Sequence, residues 1–126
     1  YLGVTADVRP FLADAHVCVL PSYSEGMPRA VLEAMAMARP VLTTDAPGCR
    51  DTVEVGRNGL LVPVRDAERL ADAMRQMAAT SVDELVRMGR HSRCLAEQRF
   101  DVHSVNRVIL DALGVGGHDA SCSVVA

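Results

Sequence analysis

Short runs of apolar residues alternate along the chain with longer segments in which apolar residues recur at helical spacing. The short runs predict strands buried on both faces at 16–21, 40–44 and 59–63. The longer segments predict helices at 7–15, 28–38, 66–79, 81–100 and 102–113. The apolar members of the fourth helix are Leu85, Met88, Cys94, Leu95 and Phe100. Because strands alternate with helices, the pattern predicts an α/β fold, a Rossmann-like parallel sheet with flanking helices and right-handed crossovers.

The two ends of the sequence add to this picture. Residues 114–126 are rich in glycine and lack apolar periodicity, so we expect a disordered or frayed tail behind one domain at 1–113. The chain opens at Tyr1 with a strand pattern that is already ending, from which we expect a fragment of a longer protein. None of the apolar runs approaches the ~20 residues that span a bilayer.

Composition narrows the classes of function. The 126 residues are 49% hydrophobic but only 3% aromatic, which predicts a core of aliphatic side chains. A net charge of −3 without a basic face gives no reason to expect a nucleic-acid partner. We expect reduced cytosolic thiols and no metal, because none of the cysteines or histidines has the spacing of a metal site: Cys18, Cys49, Cys94, Cys122, His16, His91, His103 and His118.

The stretch SEGMPRAVLEAMAMARP, residues 24–40, places Glu25 before a helix and Glu33 inside it. Pro28 suits the first turn of that helix. The loop that carries Glu25 follows the strand at 16–21, so it lies at the carboxyl edge of the sheet, where open α/β sheets bind ligands. The helix N-terminus offers unpaired N–H groups that suit phosphate oxygens. Two structural explanations stay open: an Arg29–Glu33 salt bridge on a solvated face, and a Glu25 carboxylate that interacts with the helix N-terminus.

A second loop, 43–51, follows the next strand and is rich in turn residues. Gly48 gives this loop conformational freedom, and Arg50 offers a cation near the expected phosphate position. The segment GRNGLL, 56–61, predicts a tight Asn-Gly turn with a structural role ahead of the third strand. The sequence contains neither GxGxxG nor a P-loop motif, which counts against a dinucleotide fingerprint.

The segments PSYSEGMPRAVLEAMA, RPVLTTDAPG and NGLLVP together resemble the C-terminal half of the retaining, GT-B-fold glycosyltransferases of family 4 (glycosyl transferases group 1). The similarity is to the bacterial enzymes that build polysaccharide and lipid-linked oligosaccharide, and it covers roughly residues 1 to 110. Its specific element is the E-x7-E motif formed by Glu25 and Glu33. The resemblance implies that residues 1–113 are a partial nucleotide-sugar-binding domain, part of the C-terminal domain of a GT-B fold.

The resemblance also implies a role for each residue of this motif. Glu25 would be the catalytic-site carboxylate that binds hydroxyls of the donor sugar, and Glu33 would accept hydrogen bonds from the ribose. The donor would be a nucleoside-diphosphate sugar, with UDP as the expected nucleotide, and neither a metal nor another cofactor is expected. The backbone that enters the helix would approach the sugar and the pyrophosphate. The candidate donor-binding residues are therefore Glu25, Gly26, Met27, Pro28 and Glu33, joined by Arg29 and Arg50.

Two departures from the family pattern affect these expectations. Ala38 stands where the family has a glycine, at a position that suits a left-handed helix C-cap, and alanine there costs about 1 kcal/mol. The family's diphosphate-binding basic residues and its acceptor domain precede the segment that this chain resembles. A glycan or lipid-linked acceptor would therefore be bound by that missing N-terminal domain, and the fragment would be inactive alone.

The same residues are also compatible with two other functions. One is a non-catalytic GT-B-like binding module, which Ala38 and the missing upstream half suggest. The other is a fragment of a nucleotide-sugar epimerase, which would share the fold and the donor. The resemblance further implies a cytoplasmic protein with peripheral association at the inner face of the plasma membrane.

Overall fold

A computed structural model describes residues 1–113 and contains one parallel sheet of three strands. Each strand lies inside one of the predicted apolar runs: β1 is Cys18–Leu20, β2 is Val41–Thr44 and β3 is Gly59–Val62. The strand order is β1-β2-β3, and Leu42 of the central strand is in register with Val19 and Leu60. The predicted parallel α/β fold is therefore confirmed.

The described part contains five α-helices close to their predicted bounds: one before the first strand, one between β1 and β2, and three after β3. They are α1 (Arg9–Asp14), α2 (Arg29–Ala36), α3 (Ala67–Ala79), α4 (Val82–Arg99) and α5 (Val102–Ala112). The last three begin at acceptor side chains that take a backbone N–H of the first turn: Asp66, Ser81 and Asp101. A short 3-10 helix at Arg50–Thr52 lies in what the sequence predicts only as a loop. The predicted tail, 114–126, falls outside the described residues.

The core is built on both faces of the central strand. Val41 packs with α2 and α4, whereas its neighbour Leu42 packs towards Val62 and Ala73 of α3. Successive side chains of a strand point to opposite faces, so β2 is buried along its whole length. The described part consequently has α2 and α4 on one side of the sheet and α3 on the other.

Two predictions of burial are wrong. β1 is not buried on both faces: it forms an edge of the described sheet, and Val19 is 39% exposed. In α4, Cys94 is exposed, while Ser92 is fully buried and donates to the Asn58 carbonyl at 3.3 Å. The reason is the helix period, since Met88, Ser92 and Leu95 share the face that meets the sheet and Cys94 lies off that face.

The C-terminal end of α2 confirms the left-handed cap that the sequence predicts at Ala38. This residue has φ 55°, and its N–H donates to the Met35 carbonyl at 2.9 Å while that of Arg39 donates to Ala34 at 2.9 Å. These two bonds form a Schellman motif, which normally has glycine at this position. Gly89 of α4 packs against this cap so closely that a Cβ there would lie 2.1 Å from the Ala38 oxygen.

The turn before β3 has the predicted structural role but a different mechanism. The residue with positive φ is Gly56, at 77°, and not the Asn-Gly pair itself. Asn58 is fully buried, and its amide donates to the Thr52 carbonyl at 3.0 Å and accepts from the Glu54 N–H at 2.7 Å. Gly59 is required because a Cβ would lie 1.9 Å from the Val41 oxygen of the neighbouring strand.

A charged cluster ties this turn to α4. The Glu54 carboxylate contacts His91 at 2.8 Å, Arg99 at 2.6 Å and Arg57 at 3.0 Å. The hydrogen bond from His91 and the nearby arginines lower the pKa of Glu54.

Within residues 1–113, no helix combines the length and the apolarity that a membrane span needs.

Candidate functional site

The loop between β1 and α2 lies at the carboxyl edge of the sheet, as predicted, and the central strand anchors it. The Thr43 hydroxyl donates to the Leu20 carbonyl at 2.7 Å, and the Thr44 hydroxyl donates to the Ser22 carbonyl. Both threonines are almost completely buried, so each needs a partner for its hydroxyl and finds it in the neighbouring chain segment. The first residues of the loop are thereby fixed to β2.

Glu25 is held through both its backbone and its side chain. Its N–H donates to the Pro47 carbonyl at 3.2 Å, and one carboxylate oxygen, Oε1, accepts from the Ser22 hydroxyl at 2.7 Å. The residue is half-buried. A carboxylate in this setting has a defined position and still has an oxygen that a ligand can reach.

The second predicted loop lies beside the first, which confirms the expected neighbourhood. Gly48 has φ 77°, and a Cβ at this position would lie 2.3 Å from the Glu25 oxygen and 2.8 Å from that of Gly26. Both the positive φ and the close approach require glycine. The conformational freedom that the sequence assigns to Gly48 thus serves to let the two loops touch.

The N-terminal end of α2 is open. Pro28 is the N-cap and the helix begins at Arg29, one residue later than predicted. No side chain of the described residues caps this end, and Gly26 and Met27 are exposed in front of it. Backbone N–H groups at such an end, together with the positive end of the helix dipole, favour an anion.

Glu33 lies along the same helix, beside the N-terminal segment of the chain. Its carboxylate is 3.8 Å from the Arg29 guanidinium, longer than a hydrogen bond, and its side chain is 44% exposed. The predicted i,i+4 pair is therefore present but loose. Glu33 lines a cleft of about 640 Å³ together with Thr5, Asp7, Arg9, Arg29 and Arg93.

The sequence does not predict that residues 5–9 lie beside Glu33. Asp7 is bound by the Arg9 guanidinium at 2.8 and 2.9 Å, which lowers the pKa of Asp7 to about 2. Ser22 and the two buried threonines of β2 were also missed as anchors of the loop. The signal for the two threonines is that they form a pair of polar residues at the end of a continuous apolar strand.

Arg50, a candidate cation for the phosphate, contacts its own loop in this structure. Its Nε lies 2.9 Å from the Asp45 carboxylate, and its terminal nitrogen donates to the Asp45 carbonyl at 3.0 Å. Half of its side chain is exposed. The part of Arg50 in donor binding stays a prediction.

Across residues 1–113 we find no group of three His, Cys, Asp or Glu side chains that could hold a metal ion.

The family profile described as Glycosyl transferases group 1 matches residues 1–80, which is more than half of the chain. The chain belongs to this family. The group 1 match includes both loops, all of α2 and the Glu25–Glu33 pair.

Relatives of this group 1 chain are longer than it is. A provisionally named colanic acid biosynthesis glycosyltransferase of Escherichia coli (strain K12) is 34% identical over 113 residues, covering 85% of this chain and 28% of that protein. A Campylobacter jejuni protein named N,N'-diacetylbacillosaminyl-diphospho-undecaprenol alpha-1,3-N-acetylgalactosaminyltransferase is 35% identical over 72 residues, covering 57% of this chain and 19% of its own length. The group 1 chain thus spans less than a third of these curated relatives.

Solved structures agree with the fold. The Anabaena protein HepE in complex with UDP is 28% identical, has a TM-score of 0.82 and matches 90% of this chain and 31% of its own. The same protein in complex with UDP-glucose gives a TM-score of 0.80. The predicted fold class, a parallel α/β sheet with flanking helices of the GT-B type, is confirmed for this group 1 chain.

Proposed function

We propose that this chain is the donor-binding portion of a retaining glycosyltransferase of family 4 that transfers a sugar from a UDP-sugar to a glycan or lipid-linked acceptor. The observation that supports it most is the open N-terminus of α2, with a held carboxylate in front of it and a second carboxylate along the helix. The HepE complexes with UDP and UDP-glucose support the class of donor.

In this proposal each group has a role. The carboxylate of Glu25 accepts hydrogen bonds from hydroxyls of the sugar, and that of Glu33 accepts them from the ribose. The diphosphate lies between them at the helix N-terminus, where the backbone of Gly26, Met27 and Pro28 approaches it and the dipole stabilises its charge. Arg29, the first residue of the helix, and Arg50 of the neighbouring loop add positive charge for the diphosphate.

The chemical task of this half-site is to favour the leaving group. Breaking the anomeric C–O bond places a negative charge on the departing diphosphate, and preorganised donors at that point lower the barrier. Carboxylates bind paired hydroxyls directly, so donor binding at this site does not require a metal ion. Transfer itself needs the remainder of the protein, because this chain spans 28% of its Escherichia coli relative. We therefore propose that the chain alone is inactive.

The names of two relatives support a class of acceptor. The name of the Campylobacter jejuni protein specifies a diphospho-undecaprenol-linked acceptor, and that of the Escherichia coli protein specifies colanic acid biosynthesis. We propose a glycan or lipid-linked acceptor of this class, used at the cytoplasmic face of the plasma membrane through peripheral association.

The test compares Glu25→Gln and Glu33→Gln with the parent in the full-length polypeptide that carries this sequence. Both changes keep the size of the side chain and remove its charge. We expect the affinity for UDP-sugars, measured by calorimetry over a panel of donors, to fall by at least tenfold for Glu25→Gln. Glu33→Gln should weaken UDP and UDP-sugars equally, because the ribose is common to both ligands.

Glu68→Gln is the matched control, since Glu68 is an exposed glutamate in the first turn of α3 and is not one of the proposed donor-binding residues. It should bind every donor like the parent. A parent protein that binds no UDP-sugar, or a Glu25→Gln variant with parental transfer, would contradict the proposal. Release of epimerised free sugar without an acceptor would instead support an epimerase, and tight binding without any turnover would support a binding module.

A further inference from the structure

The backbone of the loop that carries Glu25 is fixed without help from the Ser22 hydroxyl. The Thr44 hydroxyl holds the Ser22 carbonyl, and the Ser22 N–H donates to the Leu20 carbonyl at 3.0 Å. Further along the loop, the Pro47 carbonyl accepts from the Glu25 N–H, and Gly48 packs against the Glu25 oxygen. The fold of the loop therefore does not depend on the Ser22 side chain.

The Ser22 hydroxyl instead donates its single proton to the Glu25 carboxylate. The Oγ–Oε1 distance is 2.7 Å in a partly buried setting, where a hydrogen bond to a charged acceptor is strong. A glutamate side chain loses much rotamer freedom when it is held at one geometry. The bond engages Oε1, and within residues 1–113 the structure gives Oε2 no hydrogen-bond partner.

We propose that Ser22 is a positioning residue, which orients the Glu25 carboxylate so that Oε2 faces the donor sugar and accepts its hydroxyl. This inference rests on the proposed function, since it assigns the way in which that site is preorganised. A carboxylate held in advance by a neighbouring hydroxyl does not have to be ordered when the sugar binds. Ser22 should therefore contribute to the affinity for the sugar and not to the affinity for the nucleotide.

The test uses the full-length polypeptide and calorimetric titration with UDP and with the UDP-sugar that the parent binds most tightly. We expect Ser22→Ala to weaken the UDP-sugar about tenfold, in keeping with a lost hydrogen bond to a charged group, and to leave UDP within about twofold of the parent. Ser22→Thr keeps the hydroxyl and should restore the sugar affinity. Ser24→Ala removes an exposed serine from the same loop and should behave like the parent.

A double variant separates a positioning role from a structural one. If Ser22 acts through Glu25, the Ser22→Ala change should have no further effect on sugar affinity in the Glu25→Gln background. Additive losses, or an equal loss for UDP and for the UDP-sugar, would overturn the positioning role. If Glu25→Gln weakens the sugar and Ser22→Ala does not, the role of Ser22 fails while the proposed function stands. If Glu25→Gln itself binds like the parent, the assignment of Glu25 fails and that of Ser22 fails with it.

Discussion

The two ends of α2 differ in how closely the rest of the chain encloses them. At the C-terminal end, Gly89 packs on the Ala38 carbonyl and the Arg93 guanidinium donates to the Ala36 carbonyl, so that α4 covers the end of the helix. At the N-terminal end, a Cβ added to Gly26 would meet no atom within 4 Å, and Met27 is 52% exposed. The C-terminal end is closely packed, while the N-terminal end, where we propose that the donor binds, is open.

This difference bears on how a short loop can hold the Glu25 carboxylate in place. Helix α2 also buries Val31, Ala34 and Met35 completely, so it behaves as a rigid part of the core. Functional groups built on rigid elements keep their geometry better than those on free loops. The packed C-terminal end of α2 (the closed end, at Ala38) therefore fixes the position of its N-terminal end (the open end, at Gly26 and Met27). Substitutions at the closed end should change stability, and substitutions at the open end should change donor binding.

The largest effect is expected from Gly89→Ala at the closed end. The new Cβ would lie 2.1 Å from the Ala38 oxygen, a backbone atom that cannot move without shifting α2 or α4. The clash outweighs the gain in helix propensity, and we expect the free energy of unfolding to fall by about 1–3 kcal/mol. Urea denaturation measures it, with Cys94→Ala at an exposed position of the same helix as the control. Equal stability of Gly89→Ala and the parent would show that α4 does not clamp this end.

A smaller effect of opposite sign is expected from Ala38→Gly. Ala38 has φ 55°, a conformation in which the Cβ of alanine is strained and glycine is not. We expect the free energy of unfolding to rise by about 0.5–1 kcal/mol, with donor affinity unchanged. Ala36→Gly is a matched control, because Ala36 is an exposed alanine at the last residue of the same helix, where glycine should lower the free energy of unfolding by up to about 1 kcal/mol. Destabilisation by both substitutions would mean that the cap is not strained.

The closed end is also the part that the sequence predicts best. The strands fall inside the apolar runs, and the family resemblance, which has glycine at the position of Ala38, indicates the left-handed cap that this residue forms. Such features depend on local periodicity and on the φ that each residue type allows. The exposed Cys94 shows where this reasoning fails, because a long helix with apolar residues on more than one side does not reveal which face meets the sheet.

The open end could be predicted only in part. The order of loop, Pro28 and helix is visible in the sequence, but the bonds that hold Glu25 are not. The bond from Thr43 to Leu20 depends on the register of two strands, which places these residues opposite each other across 23 positions of sequence. The cleft beside Glu33 likewise depends on where residues 5–12 come to rest against α2. Contacts of this kind follow from tertiary packing and have no local signal.

The smallest effect on stability, and the clearest effect on binding, is expected from Gly26→Ala at the open end. A Cβ at this position would meet no atom within 4 Å, and the residue lacks a positive φ, so alanine fits the unliganded protein without strain. Because alanine also restricts the unfolded chain, the free energy of unfolding should stay the same or rise by up to about 1 kcal/mol.

The same methyl group would occupy the space in which, in the proposed function, the backbone approaches the sugar and the pyrophosphate. We therefore expect Gly26→Ala to weaken UDP-sugar binding at least fivefold while the protein remains as stable as the parent, as measured by calorimetry and urea denaturation on one preparation. This result is the reverse of that expected for Gly89→Ala, in which stability falls and the folded fraction binds donor normally. Parental donor affinity for Gly26→Ala would place the ligand elsewhere, since an added atom at the contact surface of a close-fitting ligand has to displace it.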